Sequence, residues 1–497
     1  MAALLLVLAG AVVSVIAFPP FGPGWLILIG AALSLTGFRQ VSGRAHGLVA
    51  GSVHGLVFFG GLIWWIGELG LIAVVPLVIF QALYHSFYGW WLGRYHDLPG
   101  ERWLLLAVGG WGLMELIRYH IPLIGMEWGA LGYALSDQPW ARYAAPVIGT
   151  SGITMLVVAV GGLVALEVTR KSSGRTRAFV LLPLLVVGGA ASTRFFEAYS
   201  FGPGVPVAIV QGSTPCPFEH CPPNERLRTF RQHLELTRTI EPGSVDLVVW
   251  SEGSTGSVNA DPVQNPEVGV AIAAEARRIG AWFLIGSDRT LSDTDWVNAN
   301  VVFSPEGEIV GEYRKQHPVP FGEYIPFRPL FTWIPDLERV PRDMIPGEGP
   351  VVFDFDGYEL GSVISFEGGF SRYPRQHALA GANVIVVATN EGSYGLTPGS
   401  DQFIGMTRMR AAELRLPVVH AAVTGKSVVI DFEGGFQSEM SGLGTQEVVF
   451  GEFTPRTRSA YAVTGDVVMT AAGVIGLLIW WRARALVVSP APPDEEE

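Results

Sequence analysis

The sequence predicts a polytopic α-helical membrane domain of about eight spans joined to an extracytoplasmic α/β sandwich domain. Three observations predict it. Apolar runs of bilayer length gather before residue 195 and again at 463–481. The stretch between them carries most of the Asp and Glu and alternates short β-rich runs with helical ones. Basic residues cluster in only some of the short loops, which sets an orientation. With 49% hydrophobic residues and a mean hydropathy of +0.35 over 497 residues, the chain is too apolar for an ordinary soluble enzyme and long enough for more than one domain. A net charge of −12 argues against a nucleic-acid partner.

Residues 1–195 are expected to form the membrane domain, with seven helices near 2–18, 22–38, 47–66, 69–92, 103–119, 146–168 and 178–194. Each has about the 17–25 residues that a hydrocarbon core requires. The first lacks a basic leader and runs through Phe18-Pro19-Pro20-Phe21-Gly22 directly into the second, so it reads as a span and not as a cleaved signal. Residues 196–462 are expected outside, 463–484 as the final transmembrane helix, and 485–497 as a disordered acidic tail. Arg39 and Arg44, then Arg170, Lys171, Arg175 and Arg177, then Arg482 and Arg484 all fall on the cytoplasmic side if the N-terminus is inside. Trp64, Trp65, Trp90, Trp91, Trp480 and Trp481 read as interface belts. Glu115, Arg118, Glu127 and Trp128 bring polar groups to the expected membrane surface, either as functional groups or as a structural ion pair.

In the outer stretch the strands are expected at Val205–Gln211, Leu247–Trp250, Trp282–Ser287, Asn300–Phe303, Gly361–Ser365, Val384–Thr389, Val418–Ala422 and Ser427–Ile430. Helical stretches fall at Asn224–Ile240, Asn265–Ile279, Tyr373–Ala380 and Gln402–Leu414. Such alternation builds two sheets faced by helices, with the polar groups of strand ends forming the site. Cys216 and Cys221 lie in a Pro-rich loop, open to a local disulfide or to two free thiols, and His220 adds only a third metal ligand.

Three strand ends carry chemistry. Leu247-Val-Val-Trp-Ser-Glu252 ends in a carboxylate, Tyr313-Arg-Lys315 sets a lysine before a Pro/Gly turn that reaches Glu323, and Gly361-Ser-Val-Ile-Ser365-Phe-Glu367 ends in a hydroxyl. Taken singly, each is more readily a surface charge or a strand-end cap. Together a carboxylate, an ammonium and a nucleophile perform acyl transfer, the carboxylate taking the nucleophile's proton and the ammonium steadying the oxyanion. Thr424-Gly-Lys426-Ser427 imitates a phosphate loop but has His420 where the first glycine belongs. No nucleotide, metal or redox cofactor is expected.

The order Glu252, Lys315, Ser365 resembles the nitrilase superfamily of carbon–nitrogen hydrolases, whose members use a Glu-Lys-Cys set, so the outer domain is expected to be nitrilase-like. Seven spans, an outer domain of this kind and a last span resemble its membrane branch, the apolipoprotein N-acyltransferases. Local matches run the length of the chain: Phe18-Pro-Pro-Phe-Gly22, Trp111-Gly-Leu-Met-Glu-Leu-Ile-Arg118, Pro146-Val-Ile-Gly149, Ile209-Val-Gln-Gly212, Val319-Pro-Phe-Gly-Glu-Tyr-Ile-Pro326, Asn390–Gly395 and Arg408-Met-Arg-Ala-Ala-Glu413. The resemblance implies Glu252 as general base, Lys315 as oxyanion-stabilising lysine and residue 365 as nucleophile. It implies Glu323 and Glu367 as supporting carboxylates that hold Lys315 and complete the polar shell. It further implies a bacterial inner-membrane enzyme with a phospholipid acyl donor and a diacylated lipoprotein acceptor.

The chain departs from the family at Ser365, where cysteine belongs, at Ser251, where proline is common, and near Ser393, where tryptophan is common. Only the first touches the chemistry. A thiol near pKa 8.5 is readily ionised beside a lysine, whereas a hydroxyl must lose its proton as it attacks. Acylation exchanges one oxygen ester for another, but an oxygen ester resists the attacking amine better than a thioester, so a serine enzyme is expected to stall as acyl-enzyme. Three readings stay open: a native serine acyltransferase, a paralogue that binds lipid or lipoprotein without turnover, and an enzyme whose cysteine was exchanged to trap a complex. A membrane-bound amidase of the same superfamily is the alternative of another class, against which eight spans are excessive for a tether. Pro/Gly-rich loops near 214–224, 324–345 and 391–400 read as lids.

Overall fold

The structure, a computed structural model, describes residues 1–121, 125–195, 203–214, 223–331, 333, 334, 337, 338, 340–355 and 357–488. It divides into two compact units, Met1–Trp64 with Gly70–Phe195 and Thr464–Glu497, and Trp65–Leu69 with Phe196–Val463. Cys216, Cys221 and the tail beyond residue 488 lie outside the described residues, as does most of the 214–224 loop.

The first unit is helical: α1 (Ala2–Ile16), α2 (Leu26–Gln40), α3 (Arg44–Leu62), α4 (Leu71–Arg94), α5 (Gly100–His120), α6 (Pro139–Val168), α7 (Gly174–Phe195) and a terminal helix Val467–Val488. Among the described residues four stretches are long and apolar enough to cross a membrane: α3, α4, α6 and Val467–Arg484. α1 and α2 are apolar but shorter, and α5 carries Glu101, Arg102, Glu115 and Arg118. The start expected at residue 22 moves to Leu26 because Pro20 and Pro23 hold the chain in turns. α6 starts earlier than expected, with Pro139 in its first turn, and kinks at Gly149, whose φ of 68° breaks the helical path.

Helix packing in this unit rests on small residues. Gly47, Gly51 and Gly55 recur every fourth position along α3, and a Cβ on Gly51 would sit 2.0 Å from the His85 carbonyl oxygen of α4. In lipid, where no hydrophobic force drives helices together, such backbone approach supplies the dispersion contact. Ser52 Oγ meets Ser86 Oγ at 2.9 Å and His54 Nδ1 meets His85 Nδ1 at 2.9 Å across the same seam. Arg118 donates from Nε and Nη2 to Glu115 Oε2 at 3.0 and 2.5 Å and from Nη1 to the carbonyls of Met126 and Trp128 at 2.9 and 2.7 Å. Buried and fully used, this pair fastens α5 to the segment after it, which favours the structural reading.

The second unit contains β1 (Val205–Gln211), α8 (Pro223–Thr237), β2 (Leu247–Trp250), α9 (Pro266–Ile279), β3 (Trp282–Thr290), β4 (Asp295–Phe303), β5 (Ile309–Arg314), β6 (Asp343–Met344), β7 (Val352–Phe355), β8 (Tyr358–Ile364), α10 (Arg372–Leu379), β9 (Val384–Thr389), α11 (Gly399–Leu414), β10 (Val418–Ala422), β11 (Val428–Ile430) and β12 (Glu447–Phe453). One sheet runs β12-β1-β2-β3-β4-β5 with β6 on β4, and the other β11-β10-β9-β8-β7. The strands β1-β2-β3 and β8-β9-β10 are parallel neighbours.

Alternation along each strand assigns the faces. Val207, Ile209, Leu247 and Val249 pack with Leu360, Ile364, Val384 and Val386 to form the core between the sheets. The intervening Ala208, Val210, Val248 and Trp250 pack with Ile272, Ala276 and Ile279 of α9. α9 itself starts where the Asn265 side chain accepts from the backbone N–H groups of Glu267 and Val268, and ends at Gly280 in the left-handed region. Trp65, expected in an interface belt, belongs instead to this unit. It is 4% exposed, donates from Nε1 to Gln402 Oε1 at 3.3 Å and lies 4.5 Å from the Tyr394 ring.

Candidate active site

Four polar residues emerge just past strand ends: Glu252 after β2, Lys315 after β5, Ser365 after β8 and Asn390 after β9. Strand pairing sets Glu252 and Lys315 at the end of one sheet and Ser365 and Asn390 at the end of the other, with the Asn390 N–H donating to Glu252 and Glu367 linking the Ser365 turn to the residue after Lys315. β4 lies between β3 and β5, and the Lys315 N–H donates to the Asn298 carbonyl of β4 at 2.9 Å. The Asn298 side chain in turn donates from Nδ2 to Glu252 Oε1 at 2.7 Å.

Lys315 is 1% exposed, and its Nζ donates to Glu323 Oε1 at 2.6 Å and to Glu252 Oε1 at 3.3 Å. Burial alone would lower the pKa of this ammonium, but Glu323 and Glu252 outweigh it and hold the lysine charged, above its ordinary value. Burial pushes Glu323 up, against the opposing pull of Lys315. Its Oε2 accepts from the Val319 N–H at 2.7 Å, which fixes the Pro/Gly turn around the lysine. Glu252 Oε2 accepts from the Asn390 N–H at 3.0 Å.

Ser365 is half-buried and left-handed, with φ of 53°, directly after an extended Ile364. A β-strand that ends in this conformation on a residue other than glycine stores backbone strain of about 1 kcal/mol or more, which clusters at functional positions. The turn is held by Glu367. Its Oε2 accepts from the Ile364 N–H at 2.8 Å and from the Tyr313 hydroxyl at 2.9 Å, while Oε1 accepts from the Gln316 and His317 N–H groups at 2.5 and 3.0 Å. One carboxyl thus fastens the residue before Ser365 to the residues after Lys315. Burial pushes it up to about 7, with the Ile364 N–H and Lys315 opposing.

Several participants were not singled out by sequence. Asn298 and Asn300 are polar at alternate positions of an otherwise apolar strand, a signal that could have found them, and Asn300 Nδ2 donates across the sheets to Ser362 Oγ at 2.6 Å. Asp288 stands opposite Asn298 in the β3–β4 register. Its Oδ1 is buried without a hydrogen-bond partner among the described residues, and burial, then Glu252 and Glu323, push it up to about 7. His317 is not equipped as a base. Its Nδ1 meets the Tyr373 hydroxyl at 2.8 Å, and burial followed by Arg372 and Lys315 lowers it to about 3. Lys426, from the false phosphate loop, pairs with Asp401.

Residues 10–163 match the apolipoprotein N-acyltransferase N-terminal domain, and residues 206–482 match the carbon–nitrogen hydrolase family. The apolipoprotein N-acyltransferase of Geobacter metallireducens is 28% identical over 475 residues, covering 90% of this chain and 88% of that protein. That of Sinorhizobium medicae is 30% identical over 403 residues, 76% of this chain and 74% of its own. An amidase of known structure from Nesterenkonia sp. aligns at 15% identity over 52% of this chain and 94% of its own, with a TM-score of 0.39. The nitrilase-like α/β domain behind a helical N-terminal domain, and relatives of this kind along most of the sequence, make this chain a member of the apolipoprotein N-acyltransferase family of carbon–nitrogen hydrolases.

Proposed function

We propose that this chain moves an acyl chain from a phospholipid to the α-amino group of the N-terminal diacylglyceryl-cysteine of lipoproteins, through an acyl-enzyme on Ser365. The observation that carries the reading is the buried Lys315 ammonium between Glu323 and Glu252, at the strand-end level of a left-handed Ser365. Glu252 takes the Ser365 hydroxyl proton as Oγ attacks the ester carbonyl, and Lys315 neutralises the oxyanion. Collapse expels the lyso-phospholipid, which receives the proton from Glu252. The lipoprotein amine then attacks the acyl-serine, gives its proton to Glu252, and collapse returns the proton to Ser365 Oγ. Glu323 and Glu367 hold Lys315 and the Ser365 turn.

The eight helices α1–α7 and Val467–Val488 are proposed to span the bacterial inner membrane with the arginine-rich loops inside and the second unit outside. Loops 324–345 and 391–400 are proposed as lids. A membrane-bound amidase would leave the helical unit without a purpose. Incubation with phospholipid followed by a diacylated lipopeptide, read by intact mass, tests the function. An acyl adduct on the chain and on Ser365→Cys, absent from Ser365→Ala and transferred to the peptide, is expected. An adduct on Ser365→Cys alone would reduce the chain to a binding paralogue or a trapped enzyme, and none on either would overturn the assignment.

A further inference from the structure

Directly after Asn390, whose N–H donates to Glu252 Oε2, stands Glu391, a second buried acid for which the mechanism has no use. Its φ is 58°, a left-handed conformation that an L-residue ordinarily avoids and that glycine would adopt freely. Its side chain is not exposed to solvent, and Oε1 meets His420 Nε2 at 3.0 Å. His420 Nδ1 meets Thr407 Oγ1 at 3.0 Å, and Thr407 Oγ1 donates to the Phe403 carbonyl at 3.0 Å. With the threonine proton directed to that carbonyl, His420 presents an Nδ1–H to Thr407 Oγ1, and one proton is shared between His420 Nε2 and Glu391 Oε1. The loop after β9 is thereby tied to β10 and to α11. Room is reserved for the acid, since a Cβ on Gly425 would fall 2.1 Å from Glu391 Oε2. Tyr394 also feels both Glu391 and Glu252, its ionisation pushed up by burial and then by the two carboxylates, and the Phe403 ring lies 5.2 Å from His420.

We propose that Glu391 is a positioning residue for the base: its buried pair with His420 pins residue 391 in the left-handed conformation that directs the Asn390 N–H at Glu252 Oε2. The inference rests on reading Glu252 as the base. Glu252 receives its three donors from β4, from Lys315 and from this loop. Releasing the loop frees one of its oxygens to turn away from residue 365.

The test uses the full-length protein carrying Ser365→Cys, with two readouts: the pH midpoint of thiol alkylation by iodoacetamide, which needs no substrate, and the rate of acylation by phospholipid in mixed micelles. Adding Glu391→Ala is expected to raise the alkylation midpoint and to slow acylation by about tenfold or more, with KM for phospholipid held within about twofold, because orientation of the base is lost and not lipid binding. Glu391→Gln, which donates to His420 Nε2 and keeps the anchor, is expected to stay within about threefold of its parent. Glu391→Gly tolerates the backbone but lacks the anchor. It carries the test if Glu391→Ala does not fold, and is expected to behave as the alanine variant should. Parent-like alkylation and acylation in a folded Glu391→Ala or Glu391→Gly overturns the inference. A thiol that responds to residue 391 while no variant is acylated would sustain the positioning role and sink the assigned substrate instead.

Discussion

Lys315 Nζ lies 2.6 Å from Glu323 Oε1, closer than the 3.3 Å that separates it from Glu252. The lysine therefore has one tight carboxylate that anchors it and one looser one that is free to accept a proton. Removing the cation leaves two buried carboxylates with neutral donors only, Asn298 and the Asn390 N–H on Glu252 and the Val319 N–H on Glu323. Lys315→Met is expected to abolish the acyl adduct and to destabilise the domain by about 3–5 kcal/mol, the usual cost of breaking a buried ion pair from one side. Intact mass and thermal unfolding in detergent check both. A folded variant with parental stability would mean that the Lys315 charge is not what stabilises this cluster.

Asp288 gives stability a pH dependence whose sign is set. The folded state raises this acid from 3.8 to about 7 through burial, Glu252 and Glu323, so the fold binds a proton that the unfolded chain has released. Its contribution is complete below about pH 4 and is lost as pH rises through about 7. Asp288→Asn, which mimics the protonated acid, is expected to flatten the decline in melting temperature between pH 5 and pH 8. An unchanged slope would assign the dependence elsewhere.

Gly51 offers a test of the helical unit. Gly51→Val would drive its side chain into the His85 carbonyl, so α3 and α4 must part and the His54–His85 contact must open. A loss of about 1–3 kcal/mol is expected, as for overpacked cores, measured by thermal unfolding in detergent. Gly60→Val, where an added Cβ meets only Val78 at 3.9 Å, is the matched control and should cost little.

Trp65→Ala is expected to cost about 3–5 kcal/mol, because it empties a buried site against Tyr394 and removes a donor to Gln402 Oε1. Trp64→Ala, at a position 47% exposed, should cost far less. Equal losses would restore both tryptophans to a membrane belt.

That pair marks the limit of sequence reading. Two adjacent tryptophans after an apolar run have the composition of a belt, and nothing local distinguishes the one that turns into the other unit. The parallel strands were legible because each is a continuous apolar run bounded by turns, as in Leu247–Trp250 and Val384–Thr389. β5, β7 and β12 escaped because edge strands mix exposed and buried residues, as in Ile309-Val-Gly-Glu-Tyr-Arg314. Glu252, Lys315 and Ser365 stood out at the ends of recognisable runs. Asn298, Asp288 and the Asn390 N–H did not, since what they do depends on cross-strand register or on a backbone group, and neither is written in a residue type.

The pairing of β1 with β12 sets Val205 opposite Phe453, so the first and last strands of the α/β domain lie one strand spacing apart, about 5 Å. A domain whose two ends are that close behaves as an insert: it can be spliced between consecutive helices of a host, or removed from them, without asking the host to change its spacing. Here the insert is not wholly self-contained, because Trp65–Leu69, more than a hundred residues upstream of β1, belongs to the same compact unit.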